Sequence, residues 1–323
     1  MKKVYLKPVV VWAAKIVSAL LSFVLIFMFI QPYFIPKYLR NSNPLSSIVQ
    51  GFYKLEKNSV DVVFMGASQT YCTIDTCKLT KENKISAYNF ASSGQPMIIT
   101  PYYLEEVFKN QSPKLVMIDV CRIFEKKSEV AEKELSWNYN PTPFSFEKYE
   151  SLYNAFNGDV IKSVNYAYTP LFLYHGRWSA INSDDVGYVL NSDNYVDAEA
   201  RGFSPREKTE KQELAFYNGD TTPKEIPQES KEAMLKMAEI SKANNTKLVF
   251  FKIPSSDWTK GWSDSVKSFM KDNNLDYIDL HDNLKEIDIN PEKDFFDYEH
   301  LNTAGAEKTT RYLTGVVEKY LSE

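Results

Sequence analysis

The sequence predicts an α/β protein: a three-layer α/β/α sandwich in which helices cover both faces of a five-stranded parallel sheet. Short apolar runs alternate with amphipathic stretches, and the apolar runs are nearly continuous, as in strands that are buried on both faces. One connection between these runs is far too long for a loop, so we expect a long insertion after the third strand. A single transmembrane helix is expected before the domain.

An apolar run from Val9 to Ile30 matches the ~20 residues that cross a bilayer. Basic residues precede it and are fewer just after it: Lys2, Lys3 and Lys7 before, Lys37 and Arg40 after. The positive-inside rule therefore predicts a cytoplasmic stub and places the chain after Gln31 outside the cell membrane. A cleaved signal peptide is the alternative, although FIQPYFIP offers no small-x-small cleavage site. We expect residues 1–31 to form an uncleaved, single-pass signal anchor.

Five apolar runs are predicted to be the strands of the sheet, at 61–65, 86–90, 114–119, 247–253 and 275–280. Residues 32–58 form a polar connector, so the domain is expected over residues 59–323. From about 121 to 227 the alternation stops, and the chain becomes rich in Tyr, Asn, Ser, Asp and Pro. Long structureless loops are uncommon in compact domains, so this insertion should have its own structure above the strand ends.

Composition excludes several classes of protein. The net charge is -4 and no long basic run is present, so nucleic-acid binding is not expected. The three cysteines, Cys72, Cys77 and Cys121, do not resemble the dense framework of a stapled secreted domain, although a disulfide between Cys72 and Cys77 stays open. No Cys/His spacing suggests zinc, and no metal site is expected.

The stretch DVVFMGASQTY, residues 61–71, gives the first candidate for chemistry. A buried strand ends here, and Ser68 follows within three residues, flanked by small side chains. Turns favour glycine and serine for conformational reasons alone, which is the simplest explanation. However, a serine at the carboxyl end of a parallel strand, opening a helix, is also where α/β enzymes hold their nucleophiles.

The second candidate lies in DFFDYEHLN, after the fifth strand. Asp297 and His300 are three residues apart and precede Asn302, a suitable cap for the last helix. Because the carboxyl ends of parallel strands meet at one edge, we expect these side chains to lie near Ser68. Together they would supply a nucleophile, a general base and the carboxylate that orients the imidazole. His281 is expected to be a capping or core residue.

Three segments, GASQ, NFASSGQP and DYEH, resemble in this order the sequence blocks of SGNH (GDSL-like) hydrolases and acyltransferases. That family has a flavodoxin-like five-stranded sheet with the nucleophile after strand one. The resemblance implies Ser68 as nucleophile and the backbone N–H groups of Ser68 and Gly94 as oxyanion donors. The third block, Gly-x-Asn-Asp, is absent, since strand three runs into IDVCRIFE; Asp119 or Arg122 are the only nearby candidates in place of its asparagine.

A signal anchor before such a domain is similar to the group that includes teichoic-acid D-alanylation protein D and the alginate and peptidoglycan O-acetylation factors. This implies an extracytoplasmic serine acyltransferase or esterase that moves an acetyl or D-alanyl group on a cell-envelope polysaccharide or teichoic acid. It also implies a multi-span membrane-bound O-acyltransferase as partner, and it requires no metal or organic cofactor. The alternatives are an esterase or lipase with water as acceptor, and a non-catalytic envelope scaffold.

The insertion contains the aromatic segment YHGRWSAINSDD. Its residues Tyr174, His175, Arg177 and Trp178 are predicted to bind a sugar or phosphate, because arginine binds anions in a bidentate way and aromatic rings stack on sugars. The alternative is a buried aromatic cluster with a structural histidine and arginine. Placed over Ser68, the segment would also exclude water and so favour acyl transfer over hydrolysis.

Overall fold

The structure, a computed structural model, describes residues 6–36, 45–191 and 199–322. Four basic residues on which the predicted membrane orientation depends lie outside these ranges: Lys2, Lys3, Lys37 and Arg40. Parts of the predicted connector and insertion, residues 37–44 and 192–198, also lie outside them.

A five-stranded parallel sheet in the order β2-β1-β3-β4-β5 forms the centre of the fold and confirms the predicted class. The strands are β1 (Val62–Met65), β2 (Ala87–Asn89), β3 (Leu115–Asp119), β4 (Lys247–Lys252) and β5 (Tyr277–Asp279). The chain runs from β1 outward to β2 and then back across to β3. Such a reversal opens a crevice at the carboxyl ends of the neighbouring strands, where ligands of open α/β sheets bind.

The helices that the structure describes include those that cover the two faces of this sheet. They are α1 (Leu6–Phe34), α2 (Leu45–Tyr53), α3 (Ser68–Thr73), α4 (Thr76–Lys81), α5 (Thr100–Asn110), α6 (Glu132–Tyr139), α7 (Phe146–Ala155), α8 (Val160–Ala167), α9 (Pro170–Tyr174), α10 (Ser183–Leu190), α11 (Gln228–Ala243), α12 (Lys260–Asp272), α13 (Leu284–Ile287) and α14 (Thr303–Ser322).

The side chains of β1 alternate between two apolar cores, one on each face of the sheet. Val63 and Met65 pack with side chains of α2, α5, α11 and α12, whereas Val62 and Phe64 pack with side chains of α4, α13 and α14. Both cores are closed to solvent, and burying a side chain of this size contributes about 1.5–3 kcal/mol. The nearly continuous apolar run that predicted this strand therefore reflects burial on both faces.

In its described residues, the long connection between β3 and α11 contains five short α-helices, α6 to α10. Helix α7 packs on α8, and α8 packs on α9. The helix α1 is long and apolar enough to cross a membrane, with a mean hydropathy of 2.4 over its apolar window. A helix with these properties at an amino terminus serves either as a membrane anchor or as a signal sequence.

Two helical glycines provide a matched test of the packing around α12. A Cβ on Gly261 would lie 2.1 Å from the carbonyl oxygen of Thr222, whereas a Cβ on Gly315 in α14 would meet no atom within 4 Å. We expect Gly261→Ala to lower the free energy of unfolding by about 1–3 kcal/mol through overpacking. Gly315→Ala should raise it by up to about 1 kcal/mol, because alanine favours helix.

Urea unfolding of the detergent-solubilised chain, followed by tryptophan fluorescence, measures both changes. Equal effects of the two substitutions would contradict the packing of α12 on residues 221–222.

Candidate active site

The turn after β1 explains why an apolar strand ends on a serine. Gly66 has a φ of +141°, and a Cβ there would lie 2.6 Å from Thr70 Oγ1 and 3.1 Å from Asp119 Cβ. Only glycine fits this close approach to the end of β3. Ala67 is extended and buried, and Ser68 is the first residue of α3. The turn therefore places Ser68 at the carboxyl edge of the sheet, in the crevice beside β3.

A short loop after β5 supplies the histidine and aspartate. It is closed by an antiparallel bridge between Phe295 and Leu301. Within it, Asp297 Oδ1 accepts hydrogen bonds from the backbone N–H groups of Glu299 at 2.9 Å and His300 at 2.8 Å. The carboxylate thus fixes its own loop and holds the imidazole beside it.

Ser68, His300 and Asp297 form one continuous chain of hydrogen bonds. His300 Nε2 lies 2.7 Å from Ser68 Oγ, and His300 Nδ1 lies 2.9 and 3.0 Å from the two carboxylate oxygens of Asp297. With Nδ1–H donating to the carboxylate, Nε2 is free to accept the hydroxyl proton of Ser68. The arrangement can therefore generate an alkoxide-like nucleophile without a metal.

The charge of Asp297 is maintained by its surroundings. Partial burial alone would raise the pKa of this carboxyl. The hydrogen bond and charge of His300, together with the two backbone N–H groups, outweigh burial and lower the pKa of Asp297 below its usual value. The carboxylate is therefore ionised throughout the neutral pH range and stabilises an imidazolium when His300 takes up a proton.

Gly94 lies on the wall of the same cavity as Ser68. Its φ is +56°, and a Cβ would lie 2.9 Å from Glu134 Oε1, so glycine suits this turn after β2. Neither the N–H of Gly94 nor that of Ser68 donates a hydrogen bond to any residue that the structure describes.

The cavity has a volume of about 270 Å³ and is walled by charged and aromatic side chains. Three cations and four carboxylates line it: Arg122, Lys224 and Lys252, with Glu125, Glu129, Asp257 and Glu299. Several come from residues 121–129 and 224, near the two ends of the predicted insertion. Arg122 follows β3, and its guanidinium is bound to Glu125 and Glu134.

Lys252, the last residue of β4, was not among the residues that the sequence pointed to. It is 1% exposed, and its Nζ donates to Gln69 Oε1 at 2.9 Å and to Ser255 Oγ at 3.2 Å. A lysine can only donate, so the oxygen of the Gln69 amide faces Lys252 and the NH₂ group is turned away from it. The buried cation thereby fixes the side chain next to the serine.

Lys252 also affects the pKa of Asp119, the buried last residue of β3. Burial raises the pKa of the Asp119 carboxyl, and the positive charge of Lys252 counteracts this rise in part. Asp119 Oδ1 accepts the backbone N–H of Ile253 at 3.3 Å, which ties the ends of β3 and β4 together. The carboxylate of Asp119 therefore holds the ends of these two strands together beside the site.

An aromatic wall completes the cavity. The rings of Phe124, Trp258 and Trp262 pack on one another with centroids 5.5 to 5.8 Å apart. The ammonium of Lys224 lies 3.7 Å from the centre of the Trp262 ring, and burial lowers its pKa. A cation on an aromatic face gives the rim a mixed surface that suits a polar ligand with apolar edges.

The aromatic segment YHGRWSAINSDD does not lie over Ser68, where it was expected to bind substrate. None of Tyr174, His175, Arg177 and Trp178 lines the cavity of Ser68. The hydroxyl of Tyr174 is bonded to Ser136 and Asn140, and His175 Nδ1 contacts the carbonyl of Phe172. Arg177 is engaged by the carbonyl of Phe34 and by Asp185. The segment packs against α1, so it neither covers Ser68 nor offers a free guanidinium to an anion.

The remaining candidates have structural surroundings. Cys72, Cys77 and Cys121 are free thiols, so the disulfide that the sequence left possible between Cys72 and Cys77 does not form. Burial raises the pKa of the Cys72 thiol to about 12, which makes it a poor nucleophile. His281 is buried, with Nδ1 against Asp279 and Nε2 against the backbone of Ser255, as expected for a core histidine.

No family model matches the chain, and no curated protein matches it significantly. Solved structures that align with it include GDSL-like lipases and acylhydrolases. A protein described as an acylhydrolase from Bacteroides fragilis is 14% identical over 88% of this chain and 99% of its own, with a TM-score of 0.41. A GDSL-like lipase from Bacteroides thetaiotaomicron is 15% identical over 82% of this chain and 89% of its own, with a TM-score of 0.36. TM-scores of this size carry no argument about the reaction.

Replacing Lys252 tests whether the buried cation supports the site. Lys252→Met should lower the free energy of unfolding by about 1–3 kcal/mol, because Gln69 Oε1 and the neighbouring oxygens lose their donor inside the protein. The exposed Lys271→Met, on the surface of α12, is the control and should change the value by less than about 0.5 kcal/mol. Urea unfolding measures both; equal values would show that the contacts of Lys252 contribute nothing.

Proposed function

We propose that this protein is a membrane-anchored serine enzyme of the SGNH type that transfers a small acyl group. The observation that carries the proposal is the hydrogen-bond chain from Ser68 Oγ through His300 to Asp297. Two N–H groups without partners among the described residues lie on the same cavity wall. A scaffold that had lost its chemistry would have no reason to keep this alignment across 232 residues of sequence.

In the proposed reaction, Ser68 Oγ attacks the carbonyl carbon of an ester while His300 Nε2 takes the hydroxyl proton. The carbonyl oxygen becomes an oxyanion, which the N–H groups of Ser68 and Gly94 stabilise; donors of this kind contribute about 3–4 kcal/mol each in other enzymes. The tetrahedral intermediate collapses to an acyl-serine, and the imidazolium gives its proton to the departing alcohol. A second hydroxyl then attacks the acyl-serine while His300 takes its proton, and the acyl–Oγ bond breaks as His300 returns that proton to Ser68 Oγ.

The acyl group is an acetyl or a D-alanyl, and the acceptor is a cell-envelope polysaccharide or teichoic acid. The small cavity supports a small acyl group, and its charged and aromatic rim supports a polyol chain. The apolar helix α1 supports action at the outer face of a cell membrane, with a multi-span membrane-bound O-acyltransferase as the source of acyl groups. The order of the GASQ, NFASSGQP and DYEH segments supports the same class.

Hydrolysis is the second candidate, and one observation favours it. The aromatic segment that would cover Ser68 lies against α1, so water is not excluded by it. Water at high concentration consumes an acyl-enzyme unless an acceptor is held close to it. Transfer therefore depends on whether the rim of Lys224 and Trp262 binds the acceptor.

Substitution of the three residues tests covalent catalysis. Ser68→Ala should abolish labelling by a fluorophosphonate, and His300→Ala should reduce the rate of ester cleavage nearly as much, with little further loss in the double variant. Asp297→Asn should lose no more than either, because the carboxylate orients the imidazole. The exposed Ser112→Ala is the control and should label normally. Normal ester cleavage by Ser68→Ala would reject the proposal.

A burst experiment separates transfer from hydrolysis. With an activated acetyl ester, the full chain should show a rapid burst of acylation and slow turnover, and a teichoic-acid or polyol acceptor should raise the turnover rate. Trp262→Ala should reduce the acceptor-dependent rate at least 10-fold and leave the burst largely intact. Trp178→Ala is the control outside the cavity and should change neither. Fast turnover that no glycopolymer alters would establish hydrolysis instead.

A further inference from the structure

The middle of the insertion forms a surface around the end of the apolar helix. We call residues 170–190 the collar; it consists of α9, the 3₁₀ turn His175–Ser179 and α10, and each of these contacts α1. The ring of Phe172 lies 5.6 Å from that of Phe27. The collar and α1 therefore share a packed contact, in addition to their connection along the chain.

Arg177 fastens the collar to the last turn of α1. Its Nη1 donates to the carbonyl oxygen of Phe34 at 2.6 Å, and its Nη2 donates to both carboxylate oxygens of Asp185 at 3.1 and 3.2 Å. Terminal carbonyls of a helix carry partial negative charge, so a cation there is favourable. Asp185 is only 2% exposed and fixes the guanidinium from the other side. These charge-assisted bonds hold the collar at a fixed level along α1.

The exposed part of α1 shows where along the helix the collar begins. Every residue from Pro8 to Ile26 is exposed, and Phe27 is the first partly buried one. These nineteen residues span about 28 Å at ~1.5 Å per residue, which matches the ~30 Å hydrocarbon core of a bilayer. The collar thus begins where such a core would end.

Each part of the collar exposes at least one large apolar side chain. Phe172 is 60% exposed, Trp178 is 77% exposed and Leu190 is 68% exposed. All three parts contact α1, and Phe172 lies against Phe27, so these side chains are carried on the elements that pack on the carboxyl-terminal end of the apolar helix. Tryptophan is enriched at the boundary between lipid and water, and clustered apolar groups at such a position partition into the headgroup region.

We propose that the collar lies in the outer headgroup region of the bilayer that α1 crosses, with Phe172, Trp178 and Leu190 inserted among the lipids. The occupant of this surface is the lipid itself, because each part of the collar contacts α1, the helix that is apolar enough to cross the bilayer, and Phe172 lies directly against it. The guanidinium of Arg177 is already engaged, so insertion depends on apolar contact and not on anionic headgroups. The proposal rests on α1 spanning the membrane and is independent of the acyl chemistry.

Depth-dependent quenching in lipid nanodiscs tests the proposal with the full chain. Cys77→Ser and Cys121→Ser give a parent in which only the buried Cys72 remains. Single substitutions Phe172→Cys, Trp178→Cys and Leu190→Cys then carry an NBD fluorophore in phosphatidylcholine discs that contain spin-labelled lipid. Tyr217→Cys, which is 58% exposed outside the collar, is the water control, and Leu20→Cys in α1 is the lipid control.

We expect spin-labelled lipid to quench the three collar probes at least 3-fold more than the probe at position 217. Replacing a third of the lipid by phosphatidylglycerol should change this by less than 2-fold. Arg177→Ala should reduce the quenching at position 190, whereas the exposed Arg311→Ala on α14 should not.

Collar probes that behave like position 217, while position 20 is in lipid, would overturn the proposal. Protection of the collar in native membranes but not in pure lipid would also overturn it, and would identify a protein as the occupant. If position 20 itself is not in lipid, α1 is not a membrane span and the proposal is wrong. None of these outcomes bears on the labelling of Ser68, so the proposed function is tested separately.

Discussion

The close approach of Gly66 to the end of β3 is the constraint on which the site depends. β1 lies between β2 and β3, so its last residue emerges into a crevice with walls on both sides. A side chain at position 66 would collide with Thr70 and Asp119 and push α3 away from β3. Because His300 reaches Ser68 from the loop that precedes α14, a shift of α3 would lengthen their 2.7 Å contact. The absence of a side chain at position 66 therefore allows Ser68 to keep its contact with His300.

Sequence alone predicted the sheet and the three residues of the hydrogen-bond chain because their signals are local. Strands buried on both faces must be apolar throughout, and polar residues directly after them must lie at one edge of the sheet. Lys252 gave no such signal. It ends the run KLVFFK, where a lysine normally marks the solvated end of a strand, and its partner Gln69 is 183 residues away. Its burial is decided by packing that no local pattern records.

The collar shows the opposite case, in which a clear local composition fits several environments. Aromatic and charged residues in YHGRWSAINSDD suit a sugar site, a buried cluster or a membrane surface, and composition does not distinguish among them. The contact of Arg177 with the end of α1, 143 residues away in sequence, shows that the segment packs against the apolar helix and not over Ser68. Arg122, shortly after β3, is held between Glu125 and Glu134. Its guanidinium is therefore already engaged at the edge of the cavity, which the run IDVCRIFE alone did not reveal.

The separation of Ser68 from His300 also matters while the chain is being made. β1, β2 and β3 lie within the first 119 residues and can pair early, but the base lies 232 residues after the nucleophile and close to the carboxyl terminus. At about 5–20 residues per second, ribosomes place these two residues roughly 10–50 s apart. During that interval Ser68 has no contact with His300 and lacks this proton acceptor. The hydrogen-bond chain of the site can therefore form only after β4, β5 and the loop before α14 have been synthesised.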